Sequence, residues 1–207
     1  MPAPPCGLVI LPPAGIAGIL REVQNLAGPT YAPGYPPHLT LKNLFVPTAG
    51  AENIARAVTG VCAAARPFTI GLGRLTVFPS SQGNFIVLRV AQARQMMRLH
   101  RQLIEALDPL TTLADPAKDP HEENGFVPHI TLLQHVPDGE VAAVMAALAS
   151  SQARHTFRVE KIALICQEPG RPWQEIQHFR LGSDGGVAQP AEAASVQTWT
   201  WNGGIQP

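Results

Sequence analysis

The sequence predicts an α+β fold made of two similar halves related by a pseudo-twofold axis. The segment Pro37–Leu41 (PHLTL) recurs as Pro128–Leu132 (PHITL), and a Val-Pro pair follows each copy. After each copy, apolar residues recur at three- and four-residue spacing, which predicts an amphipathic helix. Two β-rich runs separated by Pro and Gly then predict a hairpin in each half. Each half is therefore expected to read strand, helix, hairpin.

The predicted elements follow one another in a regular order. Two further helices complete the halves, one after a first strand and one after the first hairpin. A polar loop precedes the second motif, so one role open to it is to border the active site. In chain order the elements are strand Gly7–Leu11, helix Ile16–Leu26, motif strand 37–41, helix 49–65, hairpin strands Phe68–Phe78 and Phe85–Val90, helix Ala91–Leu107, loop Asp108–Gly125, motif strand 128–132, helix 138–149, and hairpin strands Phe157–Cys166 and Trp173–Leu181.

Length and composition indicate one folded domain with a tail. The chain has 207 residues, of which 45% are hydrophobic and only 14% are charged. We expect a single bilobal domain over residues 1–181, in which the two halves interlock. Residues 182–207 form a C-terminal tail rich in Gly, Ala and Gln. Within it, Gln197–Trp201 alternates like a strand and is a candidate for an added edge strand.

The balance of charge limits the partners. Lys and Arg number 15 and Asp and Glu also number 15. A surface that tracks a long nucleic acid needs an excess of positive charge, so we expect no extensive nucleic-acid interface. A short or terminal phosphodiester can still bind, because one small site needs only a few donors. We expect a monomer.

Cysteine usage and hydropathy predict a cytoplasmic protein. Cys6, Cys62 and Cys166 are far apart in the chain and form no C-x-x-C motif, so we expect reduced, mostly buried thiols. The first residues lack the basic and apolar regions of a signal peptide. No apolar run reaches the roughly 18 residues that a membrane span needs. We therefore expect no membrane association.

The repeated motif presents the same pair of polar groups twice. Side chains on a strand alternate between its faces, so His38 and Thr40 share one face while Leu39 is buried on the other. His129 and Thr131 share a face in the same way. Each motif thus exposes an imidazole and a hydroxyl about 7 Å apart along the strand. If the halves pack about a twofold axis, the two polar faces oppose each other across a cleft.

Such a pair of motifs suits in-line displacement at phosphorus. One group must take a proton from the attacking oxygen while another gives a proton to the leaving oxygen on the opposite side. Histidine can do both, because its usual pKa of about 6.5 is close to working pH. The hydroxyls of Thr40 and Thr131 can donate to the non-bridging oxygens, whose negative charge grows in the transition state. This chemistry needs no metal ion.

With its two H-x-T-x motifs, one in each half, the chain resembles the 2H phosphoesterase superfamily, and its bacterial 2′–5′ RNA ligase-like branch most closely. The resemblance covers about residues 7–181. It implies a bilobal fold with an antiparallel-rich sheet in each lobe lining a central groove and helices on the outer faces. It also implies action on 2′,3′-cyclic phosphates or 2′–5′ linkages, typically opening the cycle to a 2′-phosphate. The motif positions match without substitution, so His38, Thr40, His129 and Thr131 are the implied catalytic residues.

Other residues near the motifs are candidates for substrate binding. Basic side chains can contact phosphate, and aromatic rings can stack on a nucleobase. Lys42 is two residues after Thr40 and by alternation falls on the His38 face. The candidates are Lys42, Arg74 and Arg89 for phosphate, and Tyr31, Tyr35, Phe78 and Trp173 for stacking.

The remaining histidines do not suggest a metal site. His100 is on a predicted helix and is expected to be solvated or to cap the helix. His121, His135, His155 and His178 match no zinc-ligand spacing, and no cysteine pair accompanies them. We expect neither a metal nor another cofactor.

The favoured hypothesis is a metal-independent phosphodiesterase acting on RNA ends with a 2′,3′-cyclic phosphate or on small cyclic nucleotides. An alternative of another class is a module that binds RNA ends or nucleotides without turning them over. A third is a reversible 2′–5′ RNA ligase. The neutral charge disfavours a large RNA such as tRNA as the substrate.

Overall fold

A computed structural model of the chain describes residues 3–26, 29–91, 93–115, 125–149 and 155–182. The tail, including the predicted strand at 197–201, is outside the described residues. In chain order the elements are β1 Cys6–Ile10, α1 Ala14–Leu26, a 3₁₀ turn Pro29–Tyr31, β2 Leu39–Pro47, α2 Ala51–Ala64, β3 Phe68–Phe78, β4 Asn84–Ala91, α3 Arg94–Leu107, a 3₁₀ turn Asp108–Leu110, β5 Thr111–Leu113, β6 His129–Val136, α4 Asp138–Ala149, β7 His155–Val159, β8 Lys161–Cys166 and β9 Gln174–Arg180.

The strands form one curled antiparallel sheet that consists of two four-stranded parts. Its order is β7-β3-β4-β6-β2-β1-β8-β9, and β5 pairs with β2 at the side. The motif strands β2 and β6 meet in the middle, so the two parts join at the motifs. The halves interlock, because each hairpin pairs with a strand of the other half. The hairpin β3–β4 of the first half is beside β6 of the second half, and β8 of the second half pairs with β1 of the first half. The predicted α+β bilobal fold is confirmed.

The helices cover the sheet with apolar stripes at helical spacing. Ile54, Val58 and Cys62 are the buried residues of α2, each four residues from the next. Helix α1 packs against β6 and α3 packs against β2, so each of these helices covers the motif strand of the opposite half. One hydrophobic core therefore extends beneath both motifs. Among the described helices, none is both long and apolar enough to cross a membrane.

A glycine is required at the turn between β3 and β4. Gly83 has φ of +101°, a conformation that disfavours any side chain, and a Cβ there would be 2.9 Å from the backbone of His135. The Ser80 hydroxyl donates to the Gly83 carbonyl at 2.5 Å and closes the turn. The predicted hairpin is thus formed, with its turn at residues 79–83.

Two predicted boundaries are wrong. The run Phe157–Cys166 is not one strand but parts of two. The residues before Glu160 belong to β7, which pairs with β3, and those after it form β8, which pairs with β1. Glu160 and Lys161 are both exposed, and two successive exposed residues interrupt the strand alternation at this point. The segment 108–125 is not a plain loop, since Thr111–Leu113 pairs with Phe45–Pro47 of β2.

The cysteine prediction is also wrong. Cys6 and Cys166 are directly opposite each other on the neighbouring strands β1 and β8, with Cα atoms 4.0 Å apart, and form a disulfide. Neighbouring strands bring together two cysteines that are 160 residues apart in the chain. Cys62 is free and buried in the core, where burial raises the pKa of its thiol to about 12.

Candidate active site

The two motifs are joined by one antiparallel pair, Leu39 opposite Ile130. Both side chains are fully buried in the core. The register of this pair places His38 opposite Thr131 and Thr40 opposite His129. Since neighbours on a strand point to opposite faces, the four polar side chains emerge together on the face away from the core. We call this face of the sheet the groove face.

Each imidazole is held by a hydrogen bond of the same kind, from Nδ1 to the backbone carbonyl two residues earlier. Nδ1–H of His38 donates to the carbonyl of Pro36 at 2.9 Å, and Nδ1–H of His129 donates to the carbonyl of Val127 at 2.6 Å. A carbonyl oxygen can only accept, so Nδ1 carries the proton in each ring. The neutral ring then has its lone pair on Nε2. Each histidine can accept or release a proton at Nε2 without breaking the bond that orients it.

Burial lowers the pKa of both histidines. Desolvation is the largest cause in each case, and the bond from Nδ1 to the carbonyl opposes it by favouring the charged ring. The charge of His129 further lowers the pKa of His38, so the two rings are within electrostatic range of each other. The charge of Arg89 further lowers the pKa of His129. At neutral pH the pair is therefore biased towards the uncharged form.

An aromatic ring packs edge-on against each histidine. The ring centroids of Tyr35 and His38 are 5.1 Å apart, and those of Phe78 and His129 are 5.0 Å apart. Tyr35 also contacts Trp173, with centroids 6.1 Å apart. Of the predicted stacking residues, the structure therefore brings Tyr35, Phe78 and Trp173 to the site. Tyr31 instead donates its hydroxyl proton to Glu140 at 2.6 Å and ties the first half to α4.

The basic candidates differ in position. Arg89 is exposed and directly opposite His129 in the pairing of β4 with β6. Arg74 is exposed in the irregular part of β3 between Leu72 and Leu75. Its contact with a substrate stays a prediction.

Lys42 is only 4% exposed, and its ammonium is 5.8 Å from the ring centroid of the core residue Phe45. The register of β1 against β2 shifts both before and after the Leu8–Lys42 pair. The simple alternation that predicted Lys42 beside His38 therefore does not hold there, and its role in binding stays a prediction.

His100 corrects a further expectation. It was expected to be solvated or to cap a helix, but it is 1% exposed. Its Nδ1–H donates to the carbonyl of Leu41 at 2.6 Å, and its ring stacks on Phe126 with centroids 3.7 Å apart. Leu41 follows the first motif threonine and Phe126 precedes the second motif histidine. His100 thus connects the two motifs from the core side.

The regular alternation of side chains along a strand did not predict that Glu175 and His178 both reach the groove face. Three residues apart on a strand, they should face opposite ways, yet His178 Nε2 is 3.1 Å from Glu175 Oε2. The cause is an irregularity in the pairing of β8 with β9, where Ile165 is opposite Glu175 but Leu164 is opposite Gln177. The extra residue, Ile176, lets both polar side chains reach the groove face. The motif signal in the sequence did not extend to this strand.

Metal ligands do not cluster in the described part of the chain. No group of three or more His, Cys, Asp or Glu side chains there could hold a metal ion. The groups that converge at the motifs are instead two imidazoles, two hydroxyls and a guanidinium. Together they can donate to an anion and move protons.

The chain is similar in sequence and in fold to known proteins. A "Putative phosphoesterase" of Bacillus pumilus is 27% identical over 180 residues, which are 86% of this chain and 98% of that protein. The crystal structure of TT0787 from Thermus thermophilus shares the fold with a TM-score of 0.63 at 20% identity, covering 87% of this chain and 99% of the other. E. coli LigT, crystallised with 3′-AMP, has a TM-score of 0.61 at 16% identity, covering 88% of this chain and all (100%) of that one.

The family model described as the 2′-5′ RNA ligase superfamily matches residues 12–171. That range contains both motifs and most of the described sheet. The chain therefore belongs to the 2′–5′ RNA ligase superfamily, the 2H phosphoesterases.

Proposed function

We propose that this protein is a phosphodiesterase that opens the 2′,3′-cyclic phosphate of RNA ends or nucleotides by paired-histidine acid and base catalysis. One observation carries the proposal. His38 and His129 flank the junction of two neighbouring strands, and the same Nδ1–carbonyl bond leaves Nε2 of each free to exchange a proton. Two equivalent proton-transfer groups beside one small anion are what an in-line displacement requires.

The reaction starts with one ring neutral and the other protonated. The neutral Nε2 takes a proton from a water molecule as the water oxygen bonds to phosphorus. The bond from phosphorus to the 3′-oxygen breaks on the opposite side, and the protonated Nε2 gives its proton to that oxygen. The products are a 2′-phosphate and a free 3′-hydroxyl, and the two rings have exchanged protonation states. Proton exchange with solvent restores the starting state.

The electrostatics disfavour two protons on the pair at the same time. Because the charge of His129 lowers the pKa of His38, protonating both rings is unfavourable unless an anion binds beside them. A bound phosphate would offset this by stabilising an imidazolium beside it. Thr40 and Thr131 would donate to the non-bridging oxygens, and Arg89 would add positive charge on the His129 side. The imidazoles, hydroxyls and guanidinium supply these roles without a metal ion.

The relatives support a nucleotide substrate. Crystal structures of E. coli LigT, which has the same fold, include complexes with 3′-AMP, ATP and NADP+. The family name adds the 2′–5′ linkage as a second bond that the same two histidines could cleave or form. Cleavage and ligation at that linkage use the same acid and base in exchanged roles.

The test is turnover of 2′,3′-cyclic CMP by the wild type and by His38→Ala, His129→Ala and His155→Ala. We expect each motif variant to lose at least about 10²-fold in kcat, since general acid–base catalysis contributes that much. His155→Ala, on the edge strand β7, is the matched control and should retain activity. EDTA should have no effect.

Undiminished turnover by either motif variant contradicts the assignment of that histidine. Binding of the cyclic nucleotide without product supports the non-catalytic module instead. Product position, read by phosphorus NMR, reports which ester bond breaks. A 2′–5′ dinucleotide incubated in parallel tests the ligase-type linkage.

A further inference from the structure

The groove face is not symmetric, although the motifs are. On the His38 side, Val9, Ala163 and Ile165 form a small apolar cluster separate from the main core, with Leu11, Tyr35 and Trp173 packed on it. We call these six residues the apolar platform. Across the neighbouring strands, Thr40 of β2 is opposite Val9 of β1, and Val9 is opposite Ala163 of β8.

The corresponding row of residues on the His129 side, across β6, β4 and β3, is more polar. There Thr131 of β6 is opposite Val87 of β4, and Val87 is opposite Thr76 of β3. The buried hydroxyl of Thr76 has no hydrogen-bond partner in the described part of the chain. Arg89 stands beside His129 on the same side. Both histidines therefore have an aromatic neighbour, but the His38 side adds Trp173 and an apolar cluster, while the His129 side adds a cation and a hydroxyl.

An acidic group borders the apolar platform. Glu175 is opposite Ile165, and His178 is opposite Ala163, so both project at its edge. His178 Nε2 donates to Glu175 Oε2 at 3.1 Å and leaves Oε1 without a donor among the described residues. The bond to His178 lowers the pKa of Glu175, and the Glu175 charge contributes to a Tyr35 pKa raised to about 12, chiefly by burial. A carboxylate acceptor thus stands near the ring that touches His38.

From this arrangement we infer that the apolar platform binds the nucleobase of the substrate, and that Glu175 selects a base with an exocyclic amino group, such as cytosine or adenine, against uracil. The inference rests on the proposed function, because the platform is placed relative to a phosphate held between His38 and His129. A flat base packs against Tyr35 and Trp173, and Glu175 Oε1 accepts a hydrogen bond from its amino group. Uracil presents an oxygen where cytosine presents that amino group, and two acceptors repel.

The position of the platform fits this reading. Tyr35 is in contact with His38 on one side and Trp173 on the other, so the aromatic surface begins beside the catalytic ring. Trp173 comes just before β9 and packs on the cluster that contains Ile165, and Glu175 is opposite Ile165, so both lie on the same face. A nucleoside whose ribose is at the imidazoles can place its base on this surface. His178 acts as a positioning residue that fixes the carboxylate.

The experiment compares 2′,3′-cyclic CMP with 2′,3′-cyclic UMP, which share the ribose and phosphate and differ in the base edge. For the wild type we expect kcat/KM to favour the cytosine compound about tenfold or more, the effect of one charged hydrogen bond. Glu175→Gln should bring the ratio close to one, since an amide can donate to the uracil oxygen. Glu168→Gln, in the exposed turn before β9, should keep the wild-type ratio.

A second measurement separates this inference from the proposed function. Calorimetric binding of 2′-CMP and 2′-UMP to His129→Ala reads base preference without turnover. A preference for 2′-CMP that Glu175→Gln removes supports the inference even if no cyclic nucleotide is hydrolysed, an outcome that refutes only the phosphodiesterase. Equal affinities, no affinity for either nucleotide, or a preference that survives Glu175→Gln overturns the inference.

Discussion

Leu39 and Ile130 face each other where the two motif strands meet, and both are fully buried. Each is followed by a threonine and preceded by a histidine. The burial of these two apolar side chains therefore turns both imidazoles and both hydroxyls onto the opposite face. The position of the proposed catalytic groups is thus determined by packing in the core as well as by bonds at the site.

Thr131→Val tests the hydroxyl separately from the shape of its side chain. Valine keeps the β-branch and the strand preference of threonine but cannot donate to a phosphate oxygen. We expect kcat to fall roughly tenfold to a hundredfold, below the loss typical of an oxyanion donor because Thr40 and Arg89 remain. Thr131→Ser should restore most of the rate. The control is Thr69→Val, exposed on β3, and a rate for Thr131→Val equal to the control excludes the role.

The pH dependence follows from the lowered pKa values of the two histidines. Folding favours the neutral rings, so the unfolded chain binds more protons near pH 6 than the folded chain does. The free energy of unfolding should therefore reach its full value above about pH 6.5 and decrease as the pH falls. For the same reason kcat/KM should be maximal on the acid side of about pH 6.5.

Arg89→Met tests one cause of these pKa values. Removing the guanidinium charge should raise the pKa of His129, because that charge disfavours the imidazolium. At least one limb of the kcat/KM profile should then move to higher pH, while Arg94→Met on α3 should leave it in place. A shift to lower pH, or none, contradicts the proximity of Arg89 and His129.

The disulfide predicts a large dependence of stability on redox state. Cys6 and Cys166 close a loop of 160 residues, for which the chain-entropy model gives about 5 kcal/mol of stabilisation. Dithiothreitol or Cys166→Ser should lower the denaturation midpoint of the folded protein. Thiol titration of the unfolded protein should find Cys62 alone before reduction. Three reactive thiols before reduction would show that the bond is absent.

His100 is expected to act on the rate through the two motifs. His100→Phe keeps the stack on Phe126 but leaves the buried carbonyl of Leu41 without its donor, at a cost of about 1–3 kcal/mol in the free energy of unfolding. We expect kcat to fall while KM changes little, because the binding surfaces are untouched. His100→Gln can donate again and should recover part of kcat. Loss of stability with unchanged kcat would leave His100 a purely structural residue; Gln102→Ala on the exposed face of α3 is the control.

The sequence was sufficient for the features that depend on local pattern. The repeat of Pro-His-x-Thr-Leu identified the motif strands, and apolar spacing such as Ile54, Val58 and Cys62 identified the helices. The turn at Gly83 followed from its composition. These predictions depend on alternation and periodicity over a few residues, which the chain carries directly.

Features that depend on strand pairing could not be predicted in this way. The Cys6–Cys166 bond requires knowing that β1 and β8 are neighbours, which follows from the interlocking of the halves. The register shifts beside Lys42 and at Ile176 change which side chains share a face, so alternation placed Lys42 at the site and missed Glu175. The burial of His100 depends on α3 packing against β2 of the opposite half.

The central claim is that one phosphate group lies between His38 and His129. Inorganic phosphate titrated into protein labelled with ¹⁵N at histidine, followed by NMR, tests it directly. The Nε2 signals of both rings should shift along a single saturation curve with one dissociation constant. A response from only one ring, or two different dissociation constants, would contradict the claim.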